Sequence, residues 1–278
     1  GCKPEYMPIL LGVVDAIADP DFRLVDAGAT PGWEPLVVVS GPAVKELGFN
    51  TKEGAFGHGS RANATIGRAV RLVLWNIGGG YPTEPCKTTH GHPGYYSFCI
   101  AEDQETNPWE PLHVERGFKP EDTVVTVSAV EAPHAIATGA GYSPPDDVLL
   151  LLADGIAVLG SNNANGGDMV LVLSPMVSAN LAKGGYSKLD VKREMVQRAT
   201  RPVREVKRHR AIAEVSPMHW NKIVDPNDDD ARVPFVRAPE NLVMVNTGGW
   251  GSGGGFASIC PGWGAPGGLP QRKRVRFP

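Results

Sequence analysis

Chemistry-bearing side chains gather most densely between Cys99 and Arg116. That stretch reads Cys99-Ile100-Ala101-Glu102-Asp103-Gln104-Glu105-Thr106-Asn107-Pro108-Trp109-Glu110-Pro111-Leu112-His113-Val114-Glu115-Arg116. Its eighteen residues hold one thiol, one imidazole, one guanidinium and five carboxylates. A thiol attacks only as the thiolate, which needs a nearby base or cation. His113 would be that base if the loop folds back on Cys99. Glu110 or Glu115 would orient the imidazole. Glu102 would act as general acid or base if burial raises its pKa. Arg116 would grip a substrate carboxylate through its forked donors. The same residues also read as a buried strand cysteine followed by turn-capping carboxylates.

Three further clusters carry chemistry. Cys86, His90 and His92 form a Cys-x3-His-x-His run, soft enough for Zn, Cu or Ni, although the spacing matches no standard metal site. The run Phe56-Gly57-His58-Gly59-Ser60-Arg61-Ala62-Asn63 leads into a helix that Ser60 or Asn63 would cap. Arg61 and Asn63 there suit an anion at a helix start. Gly248 to Phe256 is rich in glycine, and the amides of Gly249, Gly251 and Gly253 could cradle a phosphate or carboxylate. It lacks the Gly-Lys-Ser/Thr of a P-loop and the following helix and acid of a dinucleotide site. The run Asp228-Asp229-Asp230 lacks the Gly and closing Glu of a calcium loop.

The elements that must position these groups read as α/β. Pro4 to Ala18 is apolar around most of a helix, and Leu36 to Val39 is a buried strand closed by Ser40-Gly41-Pro42. Asn63 to Ile77 has helical apolar spacing and stops at Gly78-Gly79-Gly80. Tyr95 to Ala101 and Thr123 to Val130 read as strands. The order then restarts. It runs through a helix over Pro145 to Leu159, a strand over Asp168 to Leu173, a helix over Ser187 to Ala199 with a capping-box start, and a strand over Glu240 to Val245. Leu36 to Val44 resembles Val170 to Val177, and Gly48-Phe49 answers Gly185-Tyr186. The expectation is therefore an α/β fold of two similar helix–strand–helix–strand halves, an internal duplication packed around a shared cleft. The halves would span residues 1–142 and 143–278, the second ending in a solvated basic tail.

At 278 residues the chain can bury a sizeable core. Its net charge of −3 gives no reason to expect nucleic acid. The basic run Arg201 to Arg210 reads as a solvated helix end. No run of eighteen apolar residues exists, which argues against membrane spans, and no signal peptide is visible. The four cysteines are scattered without C-x-x-C, as in a reduced cytoplasmic protein. The start at Gly1-Cys2-Lys3-Pro4, without Met, points to processing or to sequence upstream.

Gly1 to Pro8, Arg61 to Ala69 and Trp109 to Phe118 resemble a largely uncharacterised bacterial family whose members often accompany small proteins bearing a U/C-G-S-C motif, U being selenocysteine. The resemblance covers most of the chain. It implies more sequence before Gly1 and a companion chain with thiol or selenol chemistry. Cys99, Glu102, Glu110, His113, Arg116, Arg61 and Asn63 fall on its pattern. His90, His92 and the Trp250 to Gly253 loop depart from it.

These readings converge on an oligomeric enzyme, a hydrolase or lyase, that cleaves a small anionic organic molecule. Cys99, Glu102, Glu110 and His113 would be catalytic, with Arg61, Asn63, Arg116 and the Gly249, Gly251 and Gly253 amides binding substrate. The alternatives are a metal-dependent enzyme using Cys86, His90 and His92, and a non-catalytic subunit of a multi-chain complex.

Overall fold

The computed structural model describes residues 1–24, 32–57, 59–209, 220–251, 255–262 and 268–277. The expectations attached to His58, Arg210, Ser252 and Gly253 lie outside them. The fold is mixed α/β in two units. The first comprises Gly1–Ala132, Val245–Trp250 and Gly268–Pro278, and the second comprises Pro133–Met244 and Gly251–Gly267. The boundary expected at 142/143 therefore falls at 132/133, and the C-terminal segment belongs with the first unit.

The first unit is built on a four-stranded sheet. β1 (Glu34–Ser40) runs parallel to β2 (Cys99–Ala101), with Val37 opposite Cys99. On its other side β1 runs antiparallel to β3 (Val124–Val130). Every residue of β1 and β3 is buried, which accounts for their nearly unbroken apolar sequences. α1 (Met7–Ile17) packs against β3, and α3 (Arg61–Asn76) packs against β2, with short α2 (Ala43–Glu46) leaving the end of β1. Ser60 caps α3 by accepting from the Ala62 N–H. A four-residue helix, α4 (Leu112–Glu115), follows β2. The strand expected over Tyr95 to Ala101 shrinks to its last three residues, because Pro93–Tyr95 forms a 3-10 turn.

The second unit carries β4 (His134–Ala137), α5 (Pro145–Ile156), β5 (Met169–Leu173), α6 (Pro175–Lys183) and α7 (Lys188–Arg198). After these come the short pair β6 (Thr200–Pro202) and β7 (Arg232–Pro234), α8 (Val203–Val206), β8 (Leu242–Asn246) and β9 (Phe256–Cys260). Its sheet has the order β4-β9-β5-β8. The capping box read at Ser187 is present, with Asp190 as the reciprocal partner. Arg201, expected in a solvated run, donates to the Ala157 carbonyl and to Asp154.

The basic tail is not solvated backbone. Gln271–Arg274 forms β10, antiparallel to β3, and completes the first sheet in the order β10-β3-β1-β2. The edge of β3 away from β1 offers unpaired amides and carbonyls, and the uniformly polar, mostly charged side chains of β10 suit an edge strand.

Gly67 sets how closely α3 seats on β2. A Cβ there would lie 2.5 Å from Ser97 Oγ, 2.6 Å from the Phe98 amide nitrogen and 3.2 Å from Cys99 Cβ. Helix propensity alone favours alanine by about 1 kcal/mol, but the Phe98 nitrogen is backbone and cannot rotate away as Ser97 Oγ can. Gly67→Ala is therefore expected to lose about 1–3 kcal/mol in a urea titration; a gain would mean that α3 can lift off the sheet without cost.

The first unit also buries a charge pair. Arg71 on α3 places Nη1 3.3 Å from both Glu34 carboxylate oxygens, at the start of β1. Burial outweighs the nearby guanidinium and pushes the Glu34 pKa from about 4.5 to about 7. A carboxyl whose folded pKa exceeds its unfolded one binds more protons in the folded state. Its stabilisation is full below about pH 4.5 and is lost as pH rises through about 7. Urea midpoints measured from pH 4.5 to 8 should therefore fall more steeply in the wild type than in Glu34→Gln.

Candidate functional site

Parallel β1 and β2 end side by side, and the chain leaves both at their carboxyl ends. Open α/β sheets commonly bind ligands there. A crevice of about 660 Å³ lies at this point, with Gly41, Pro42 and Lys45 on the β1 side and Glu102, Asp103 and Glu105 on the β2 side.

Two buried carboxylates start the β2 exit, and each has a distinct task. Glu102 is fully buried, and both of its oxygens lie 2.9 Å from the Leu112 amide, the first of α4. It also accepts from Asn107 Nδ2 at 3.1 Å. The carboxylate thus folds the 103–111 loop back and caps the short helix. Asp103, also buried, accepts from Thr106 Oγ1 at 2.6 Å, from the Glu105 amide at 3.2 Å and from Lys52 Nζ at 2.8 Å. Lys52 keeps 46% of its side chain exposed while its ammonium is anchored on Asp103, which lines the crevice. Glu105, 67% exposed, lies 3.9 Å from Lys52 and 3.4 Å from Lys45.

The loop carrying Lys52 is held from α3. Asn63, buried in the first turn of that helix, accepts from the Asn50 amide and donates to the Asn50 carbonyl. Asn50 Oδ1 in turn accepts from the Lys52 amide. The 245–250 segment of the same unit closes on this loop. The Gly248 amide donates to the Thr51 carbonyl at 2.9 Å, and Asn246 and Asp103 exchange backbone and side-chain bonds. Gly249 lies against the Glu53 side chain, whose end a Cβ would meet at 2.6–2.8 Å and push aside. Gly251 has φ +72°, a left-handed value that favours glycine.

Several expected site residues sit elsewhere. Cys99 is 5% exposed, faces the Gly67 side of α3 and does not line the crevice. Burial holds its thiol far above the usual range, so a thiolate there is strongly disfavoured. His113 is buried in α4 with Nε2 3.4 Å from the Pro120 carbonyl, and the exposed Glu110 accepts through its backbone carbonyl from Asn107. Arg61 donates to the Gly1 carbonyl, and Arg116 lies 3.6 Å from its neighbour Glu115, so neither forms an anion clamp at the crevice. Asn63 positions a loop instead of facing the crevice.

The Cys86, His90 and His92 metal expectation is not met. Among the described residues no three His, Cys, Asp or Glu side chains gather as a metal site. Cys86 Sγ donates to Thr88 Oγ1, and His90 is exposed. His92 Nδ1 accepts from the Gly94 amide, and its other nitrogen faces the Val130 carbonyl. Nδ1 is thus committed, and the ring packs edge-on against Tyr95 and Phe98. No helix among the described residues is long and apolar enough to cross a membrane.

Lys52 escaped sequence reading because it belongs to no motif. Asp103 could have been found, since the second residue past a buried strand in an α/β chain is where polar ligand contacts concentrate. The assignment of Glu102 to α4 is testable. Glu102→Gln keeps one acceptor and loses the charge, and should cost about 1–3 kcal/mol. Hydrogen exchange should show faster opening confined to Leu112–Glu115 and the 103–111 loop, and uniform loss across β1 and β3 would refute the capping role.

No protein-family model matches this chain, and no curated protein matches it.

Proposed function

We propose that the chain is an enzyme that cleaves a small anionic organic molecule, by hydrolysis or elimination, in the crevice at the carboxyl ends of β1 and β2. The observation that carries this reading is the half-exposed Lys52 ammonium held by buried Asp103, itself a lining residue of the crevice beside Lys45. A buried carboxylate fixes the lysine's direction and leaves its remaining N–H groups for a ligand. Glu105 is the exchangeable member of the group, because it is mostly exposed and reaches both lysines. A substrate carboxylate would take its place on Lys45 and Lys52 without disturbing Asp103. Lys52 would then give a proton to the departing group as its bond breaks and be reprotonated from solvent, a contribution of about 10²–10⁴ in rate. In hydrolysis water would add its hydroxyl and release a proton to solvent; in elimination the neighbouring C–H would lose its proton to solvent. Cys99 has no part in this scheme.

The proposal extends to an internal duplication. Its support is a shared order of parts. In both units a buried strand is followed by a short helix and a left-handed glycine before an aromatic (Gly48-Phe49, Gly185-Tyr186). A serine-capped helix follows, α3 or α7, and later two more strands of the same sheet, β2 and β3 in the first unit and, beyond the separate β6–β7 pair, β8 and β9 in the second. A companion chain with thiol or selenol chemistry belongs to the proposal through the family resemblance alone.

The test is turnover. Purified protein is incubated with small carboxylates bearing ester, amide or β-leaving groups, and products are followed by NMR. The wild type should turn over at least one, Lys52→Met should lose about a hundredfold in kcat, and Lys45→Met should raise KM at nearly unchanged kcat. Cys99→Ala should retain activity. Equal turnover by Lys52→Met, or none by the wild type across the set, would overturn the assignment.

A further inference from the structure

A second cleft of the first unit, about 960 Å³, lies between α3 and the 82–96 segment. Its size falls in the range of small-molecule pockets. Its lining is electrically one-sided. Arg68, Arg71 and Lys87 contribute to it, as do His90 and His92, and no Asp or Glu does among the described residues. That asymmetry occurs in a chain whose net charge is −3.

The cations are not equivalent. Arg71 is spent internally, bonded to Glu34 and to the Gly80 carbonyl, with its guanidinium 4.8 Å from the Tyr95 ring centre. Lys87 is paired with Glu84. Arg68, one turn before Arg71 on the same helix face, is half-buried and makes no hydrogen bond or ion pair among the described residues. A half-buried guanidinium without a partner has already lost part of its hydration, so an arriving anion meets a prepared donor fork. The walls beside it are aromatic. Trp75, four residues beyond Arg71, is half-buried, and Tyr96 is 75% exposed. Tyr81 stands edge-on to Trp75 and props that ring from outside.

An uncommitted forked cation in a cleft also lined by Trp75 and Tyr96 fits a flat ring bearing a carboxylate. The ring covers Trp75 and Tyr96, and the carboxylate meets Arg68 in two parallel hydrogen bonds. We propose that this cleft is a binding site for a small planar aromatic carboxylate, separate from the crevice at the ends of β1 and β2. The two sites share no lining residue, so either assignment can fail while the other stands.

The test is calorimetric titration of the intact chain with 2-naphthoate, 2-naphthamide and cyclohexanecarboxylate. Naphthoate should bind at one per chain. The uncharged amide and the non-aromatic acid should each bind at least about tenfold more weakly, in line with a charge-assisted pair and a stacked ring. Arg68→Gln should weaken naphthoate about tenfold and leave naphthamide nearly unchanged. Tyr96→Ala should weaken both aromatic ligands. Both positions are at least partly exposed, and an unchanged urea midpoint confirms that each variant folds. Absence of saturable naphthoate binding, equal affinity for acid and amide, or an unaffected Arg68→Gln would overturn the proposal.

Discussion

β1 is buried along its whole length, and the first unit is organised around that constraint. A strand sealed on both faces must be flanked by strands and covered by helices, which is what β2, β3, α1 and α3 supply. It also excludes polar chemistry from the sheet interior. Reactive groups are pushed to where the chain leaves the strands, and Asp103, Glu102 and Lys45 lie there. The exceptions inside are telling. Glu34 enters the sheet only with Arg71 beside it, and burial still makes it reluctant to ionise.

The same constraint separates what could be read from the chain from what could not. Leu36 to Val39 and Asp168 to Leu173 announced buried strands through β-branched runs closed by serine and proline, and Ser187 announced its helix through the capping box. Those signals are local, and local physics decided them. β9 was missed because Phe256–Cys260 follows a glycine-rich stretch that suggests a loop. α6 is not marked in the sequence, because Ser174-Pro175 suits the end of a strand as well as the start of a helix.

The site divides in the same way. That polar groups crowd the exit of β2 was legible, since the sequence puts carboxylates directly after a buried strand. Which groups reach the crevice was not. Cys99 and Asp103 are four residues apart, yet one points into the packing under α3 and the other pairs with a lysine fifty-one residues earlier. Composition carries no record of that pairing. Likewise Asn63 reads as a helix cap or an anion ligand, and only its two bonds to the Asn50 backbone reveal that it fixes the lysine loop.

The position of β10 has a consequence for how the chain is made. β3 is followed by about 140 residues before its outer partner appears. At ordinary synthesis rates that interval is on the order of ten seconds, during which β3 has one unpaired edge. A bare strand edge of apolar sequence can pair with other chains as readily as with its own. The charged side chains of Arg272, Lys273 and Arg274 then do double duty, because once docked they make the new edge a poor template for further strands. A segment made about 140 residues after β3 is thus the one that closes the first sheet against association.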